Sequence, residues 1–157
     1  MTENAITVRG LRKRYPGSAQ PAVDGVDLDV ARGEVVALLG PNGAGKTTTV
    51  EILEGHRDRD AGTVDVLGAD PGRAGRAWRA RIGVVVQSAG DLAELTPAEA
   101  LRHFARYYPD PRDPDEVLEL VGLGAVRHRA ARDLSGGQRR RLDVGLGIVG
   151  RPELLFL

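Results

Sequence analysis

The stretch GPNGAGKTT, Gly40 to Thr48, decides the fold. It fits G-x-x-x-x-G-K-[ST]. An apolar run, EVVALLG (Glu34–Gly40), precedes it, and KTTTVEILEG, which reads as a short helix ended by Gly55, follows it. Phosphates carry several negative charges, so a turn that holds them must present backbone N–H groups at close range, which glycine permits. The helix that follows adds the positive end of its dipole. Lys46 supplies a compact charge able to reach β- and γ-phosphates, and Thr47 a hydroxyl for Mg²⁺. Only Lys13 and Lys46 are lysine among 22 basic residues, so Lys46 stands where the chain's usual arginine would not serve. The stretch predicts a phosphate-binding loop.

Working outward, AITVRGL (Ala5–Leu11), VDLDV (Val26–Val30) and GTVDVLG (Gly62–Gly68) alternate apolar and polar residues, as half-buried strands do. EVVALLG, RIGVVVQ (Arg81–Gln87) and the closing ELLFL read as buried strands of a parallel sheet. The middle of the chain is helical: Thr96, Pro97 and Glu99 form one capping box, and Asp113, Pro114 and Glu116 repeat the pattern. After LSGGQ a helix is expected from about Gly136 to Gly150. Trp78 is read as a packing residue between helix and sheet, and Arg139–Arg141 as a solvated or subunit-facing surface. Helix propensity gives no reason for Gly145 and Gly147 inside that helix. The whole reads as α/β with a small helical subdomain.

Composition sets outer bounds. With 157 residues, 41% hydrophobic and 28% charged, the chain can bury a sizeable core. The 22 basic and 22 acidic residues balance, which gives no support for nucleic-acid binding. There is no cysteine, so disulfides and thiolate metal sites are excluded. The N-terminal MTENAITVRG is no signal peptide, and no apolar run approaches bilayer length.

A phosphate loop alone does not choose among ATPases, GTPases and small-molecule kinases. LSGGQ, Leu134 to Gln138, narrows the choice. A serine and two glycines at a helix start make a second anion-binding surface, and one chain has no obvious need for two. The second suggests a nucleotide held by another copy.

With both motifs in order over nearly its full length, the chain resembles the ATP-binding domain of ABC transporters. The resemblance implies a P-loop NTPase core, an N-terminal antiparallel β subdomain and a helical signature subdomain. It implies one domain over 1–157, with its core in 1–88 and 136–157 and the helical part at about 89–135. ATP and Mg²⁺ are the implied cofactors. Gly40, Pro41, Asn42, Gly43, Ala44, Gly45, Lys46, Thr47 and Thr48 would hold the phosphates, and Tyr15, 25 positions before Gly40, would stack on adenine. Gln87 would contact Mg²⁺ and the attacking water, making Thr47 and Gln87 the metal residues and Lys46 and Gln87 the catalytic contributors. Leu134, Ser135, Gly136, Gly137 and Gln138 would close on the nucleotide of a second ATP-binding subunit in a head-to-tail dimer.

TTTVEILEGHR and RIGVVVQSAGDLAELTPAEALRHFARYYP further resemble the daunorubicin-resistance (ABC-2) type of exporter ATPase. That resemblance implies integral membrane permease partners, a peripheral place at the cytoplasmic membrane face, and no nucleic-acid partner. In the family, an Asp–Glu pair follows a strand like ELLFL, and a histidine that contacts the γ-phosphate comes later. The sequence ends at Leu157. The chain is therefore expected to be C-terminally incomplete, defective in hydrolysis and poorly folded alone, because the strand between its phosphate-loop strand and ELLFL is missing. Two rival readings are a truncated, non-hydrolysing nucleotide-binding module and a soluble ABC-type ATPase outside transport.

Overall fold

Alternation in the first third of the chain builds a three-stranded antiparallel sheet. Strand β1 (Asn4–Lys13) lies between β2 (Val23–Ala31) and β3 (Ala61–Val66), with Val8 opposite Leu28 on one side and Val64 on the other. Period-two patterning sets the buried Ile6 and Val8 of β1 opposite the buried Val66 and Val64 of β3, and Leu11, an odd step from Val8, is buried beyond a register shift at which Gly10 has φ 58°. In this computed structural model, which describes residues 3–85 and 92–157, the chain forms two compact units, 1–78 and 79–157.

The first unit also holds α1 (Lys46–Leu53), which Gly55 ends at φ 73° with its N–H on the Ile52 carbonyl. A single turn, α2 (Arg76–Arg79), carries Trp78, 6% exposed, whose indole N–H donates to the β3 carbonyl of Val66 at 2.8 Å. The indole is indeed a packing residue.

Residues 34–40, expected as a buried parallel strand, are no strand: Val35 is 97% and Leu39 89% exposed. An apolar run encodes burial, but a strand exists only through a ladder partner. Among the described residues, none pairs with the backbone of 35–39. The backbone there forms neither helix nor strand and leads into the loop.

In the second unit, β4 (Ile82–Val84) pairs in parallel with β5 (Leu154–Phe156), and β5 is only partly covered rather than buried. Helices α3 (Pro97–Ala105), α4 (Pro114–Leu120) and α5 (Gly136–Ile148) enclose one apolar core, in which Leu101, Val117, Leu118 and Leu123 are fully buried. Thr96 and Glu99 form the expected capping box. Asp113 caps by a single bond, accepting the Asp115 N–H at 2.9 Å, so the reciprocal role expected of Glu116 is not the one observed. Close approach explains Gly147, and nothing in the structure explains Gly145, where a Cβ would make only ordinary contacts. A Cβ on Gly147 would lie 2.7 Å from Val85 Cγ2, and one on Gly83 of β4 would lie 2.2 Å from the Gly147 carbonyl oxygen. Helix and sheet touch backbone to backbone there.

Candidate functional site

The loop Gly40–Thr48 turns on glycines in left-handed conformation, Gly43 at φ 83° and Gly45 at φ 80°. Gly45 has a second constraint: a Cβ there would lie 2.1 Å from the Ala22 carbonyl oxygen. The segment before β2 is held in place by the Ala22 N–H donating to the Lys13 carbonyl at 2.8 Å. Gly45 is the N-cap of α1, and no side chain caps that end. The first-turn N–H groups of a helix have no intrahelical partner, so this end is an open anion site.

Lys46 folds back onto its own loop. Its ammonium donates to the carbonyls of Gly40 and Pro41, each at 2.8 Å. The charge is thereby fixed at the loop rather than waving in solvent. The three threonines after it divide the work. Thr49 donates to the Gly45 carbonyl at 2.9 Å, and Thr48, buried, meets the Tyr15 hydroxyl at 3.0 Å. Thr47 is exposed, and its hydroxyl makes no hydrogen bond among the described residues. A free, hard oxygen suits Mg²⁺.

Tyr15, Ala22, Asn42, Gly43, Gly45, Lys46, Thr47 and Thr48 line one cavity. Tyr15, far away in sequence, is thus joined to the phosphate loop, while Gly40, Pro41 and Ala44 shape the loop without lining the cavity. Gln87 lies outside the described residues. Sequence reasoning missed Ala22, whose carbonyl sets the height of Gly45. It also missed Arg57, whose guanidinium sits over the Tyr15 ring, 5.1 Å from its centroid. Nothing in the EGHR stretch signals that contact, because its partner is in another segment.

The signature residues belong to the second unit. Leu134 is 6% exposed and joins the helical core, so it anchors the turn. Ser135 is the N-cap of α5: its hydroxyl accepts the Gln138 N–H at 3.2 Å, and Gln138 Oε1 accepts the Ser135 N–H at 2.9 Å. Ser135, Gly136 and Gly137 are exposed. Of the following arginines, Arg139 donates to the carbonyls of Ala131 and Arg132, and Arg141 to that of Gly122 at 2.9 Å. Two of the three are tied to backbone carbonyls, Arg139 just before the signature turn and Arg141 just after α4.

A family model described as ABC transporter matches residues 23–157. The chain is 43% identical over 162 residues to the daunorubicin resistance ATP-binding protein DrrA3 of Streptomyces coeruleorubidus, covering 100% of this chain and 51% of that protein. It is 40% identical over 153 residues to the fluoroquinolones export ATP-binding protein MT2762 of Mycobacterium tuberculosis, covering 97% and 51%. It therefore spans about half the length of the curated relatives it matches. Among solved structures, MJ1267, an ATP-binding cassette of an ABC transporter, superposes with a TM-score of 0.83 at 25% identity, covering 98% of this chain and 68% of that one. That likeness establishes the α/β fold with its antiparallel β part. Family model and relatives agree: the chain belongs to the ABC transporter family.

Proposed function

We propose that this chain is the ATP-binding part of an exporter, and that in the full-length protein it hydrolyses ATP to drive transport through separate membrane subunits. The observation that carries the reading is the cavity shared by Tyr15 and the loop at an uncapped helix end. The export functions named for the relatives support the direction of transport.

In this reading the β- and γ-phosphates take the loop N–H groups and the Lys46 ammonium, which exchanges carbonyl partners for phosphate oxygens. Adenine lies against Tyr15, whose hydroxyl is fixed by Thr48. Mg²⁺, bound with the nucleotide, offsets phosphate charge, and Thr47 and Gln87 are its protein ligands. Hydrolysis further needs carboxylates that hold the metal and position water. The relatives are about twice as long as this chain, and we assign those acids to sequence outside these 157 residues. Two such domains pair head to tail, so that Ser135–Gln138 of one close on the γ-phosphate held by the other. The domain reads as one core, 1–88 and 136–157, with a helical part between that meets the permease at the membrane's cytoplasmic face. Among the described residues, no helix is long and apolar enough to cross a membrane.

The test is ATP binding by the Lys46→Ala variant, measured by calorimetry. Loss of detectable binding is expected. Wild-type affinity in that variant would overturn the reading.

A further inference from the structure

Tyr15 is held from more than one side. Its hydroxyl is fixed on Thr48 at 3.0 Å, and Arg57 covers its ring with a centroid distance of 5.1 Å. Arg57 is itself anchored: its Nε donates to Glu51 Oε2 at 2.6 Å, and the two side chains are 35% and 32% exposed. The backbone sets this up. After α1 the chain folds back, so that the N–H groups of His56 and Arg57 both donate to the Glu51 carbonyl, at 2.9 and 3.2 Å. Glu51 thus fixes Arg57 through main chain and side chain together.

The cavity at the phosphate loop is lined by Tyr15 but not by Arg57. With the guanidinium over one face of the ring, a stacked base is left the other. A cation on one face of an aromatic ring is attracted by the negative π-cloud and draws electron density toward itself. The opposite face becomes less negative, which lowers the repulsion that a stacked, electron-rich base meets there.

We propose that Arg57, locked by Glu51, is a positioning residue for the nucleotide base: it blocks one face of Tyr15 and prepares the other as the single stacking platform. This rests on the reading of Tyr15 as the adenine-stacking residue.

The test uses the intact protein that carries this sequence and compares two ligands by calorimetry, ATP and inorganic triphosphate. Triphosphate has the phosphates but no base. Arg57→Met is expected to weaken ATP binding by about two- to fivefold, the size of a partly exposed cation–π contact, and to leave triphosphate binding unchanged. Arg57→Lys is expected to restore most of the ATP affinity. In a Tyr15→Ala background Arg57→Met is expected to add nothing. Glu51→Gln keeps the fold-back and loosens the guanidinium, so it is expected to shift ATP binding in the same direction by less. If Arg57→Met weakens both ligands equally, or neither, or acts undiminished without Tyr15, the inference is overturned while the Tyr15 reading stands. If Tyr15→Ala leaves the ratio of ATP to triphosphate affinity at its wild-type value, the Tyr15 reading itself fails.

Discussion

At Gly45 two demands fall on one residue, a left-handed φ of 80° and a carbonyl oxygen where a side chain would begin. Gly45→Ala cannot relax one without worsening the other, because the obstacle is backbone of Ala22 rather than a flexible side chain. We expect a loss of more than about 1 kcal/mol in urea unfolding, together with weakened phosphate binding. A wild-type unfolding midpoint would show that the Ala22 segment yields freely. Lys46 makes a second case. Lys46→Arg keeps the charge, but a planar fork is not a point charge and does not replace the ammonium between two carbonyls. ATP affinity is expected to fall at least tenfold, read by calorimetry. Both residues were legible in the sequence, since loop chemistry is local and the spacing states it. Arg57 was not: its contact joins segments 42 positions apart, and no pattern within EGHR encodes the partner.

At the level of elements, α5 separates two glycines that look alike in sequence. A Cβ on Gly145 would meet Val117 at 3.4 Å and Leu101 at 3.5 Å, ordinary contact, whereas one on Gly147 would meet Val85 at 2.7 Å. Gly145→Ala should therefore gain up to about 1 kcal/mol from helix propensity. Gly147→Ala should lose about 1–3 kcal/mol to overpacking, and the opposite signs are checked by thermal unfolding of both variants. Periodicity saw a helix there but not the sheet beneath it, so Gly147 had no visible reason in the sequence. The reverse failure occurs at 34–40, where apolar content predicted a strand and the absence of a ladder partner among the described residues removed it. N-caps were more legible, because they are local: Thr96 and Asp113 both cap as expected, although of the two only Thr96 closes the reciprocal box. Ser135 is such a cap, so Ser135→Ala would lose about 1 kcal/mol of helix stability whatever its role in pairing. Ser135→Asp keeps a capping acceptor but, in the proposed head-to-tail pairing, would set a carboxylate against a γ-phosphate. It is expected to melt like wild type and to lose ATP-dependent pairing in sedimentation, and pairing at wild-type strength would contradict the trans role.

For the molecule as a whole, charge is balanced in number but not in how it titrates. The hydrogen bonds and charge of Arg59 lower Asp70 from 3.8 to about 2, and Arg9 likewise lowers Asp29, while burial raises Glu54 and Asp143. A carboxylate lowered by folding contributes stability that is present above its unfolded value and lost as pH falls through its folded one. The Asp70 contribution should thus fade between 3.8 and about 2, and Asp70→Asn should flatten that part of the stability profile measured by urea midpoints across pH. The raised acids act with the opposite sign, since folding favours their protonated forms and loses stability as pH rises through their shifted values. How these groups pair was not legible in the sequence, for the sums of acid and base conceal it. The run at 34–40 has a last consequence, in terms of concentration. Val35, Val36, Leu38 and Leu39 present exposed apolar surface on backbone that has no hydrogen-bond partner among the described residues. Such a segment can template the same segment of a neighbouring molecule, so the loss of soluble 157-residue chain should be second order, doubling in relative rate with each doubling of protein.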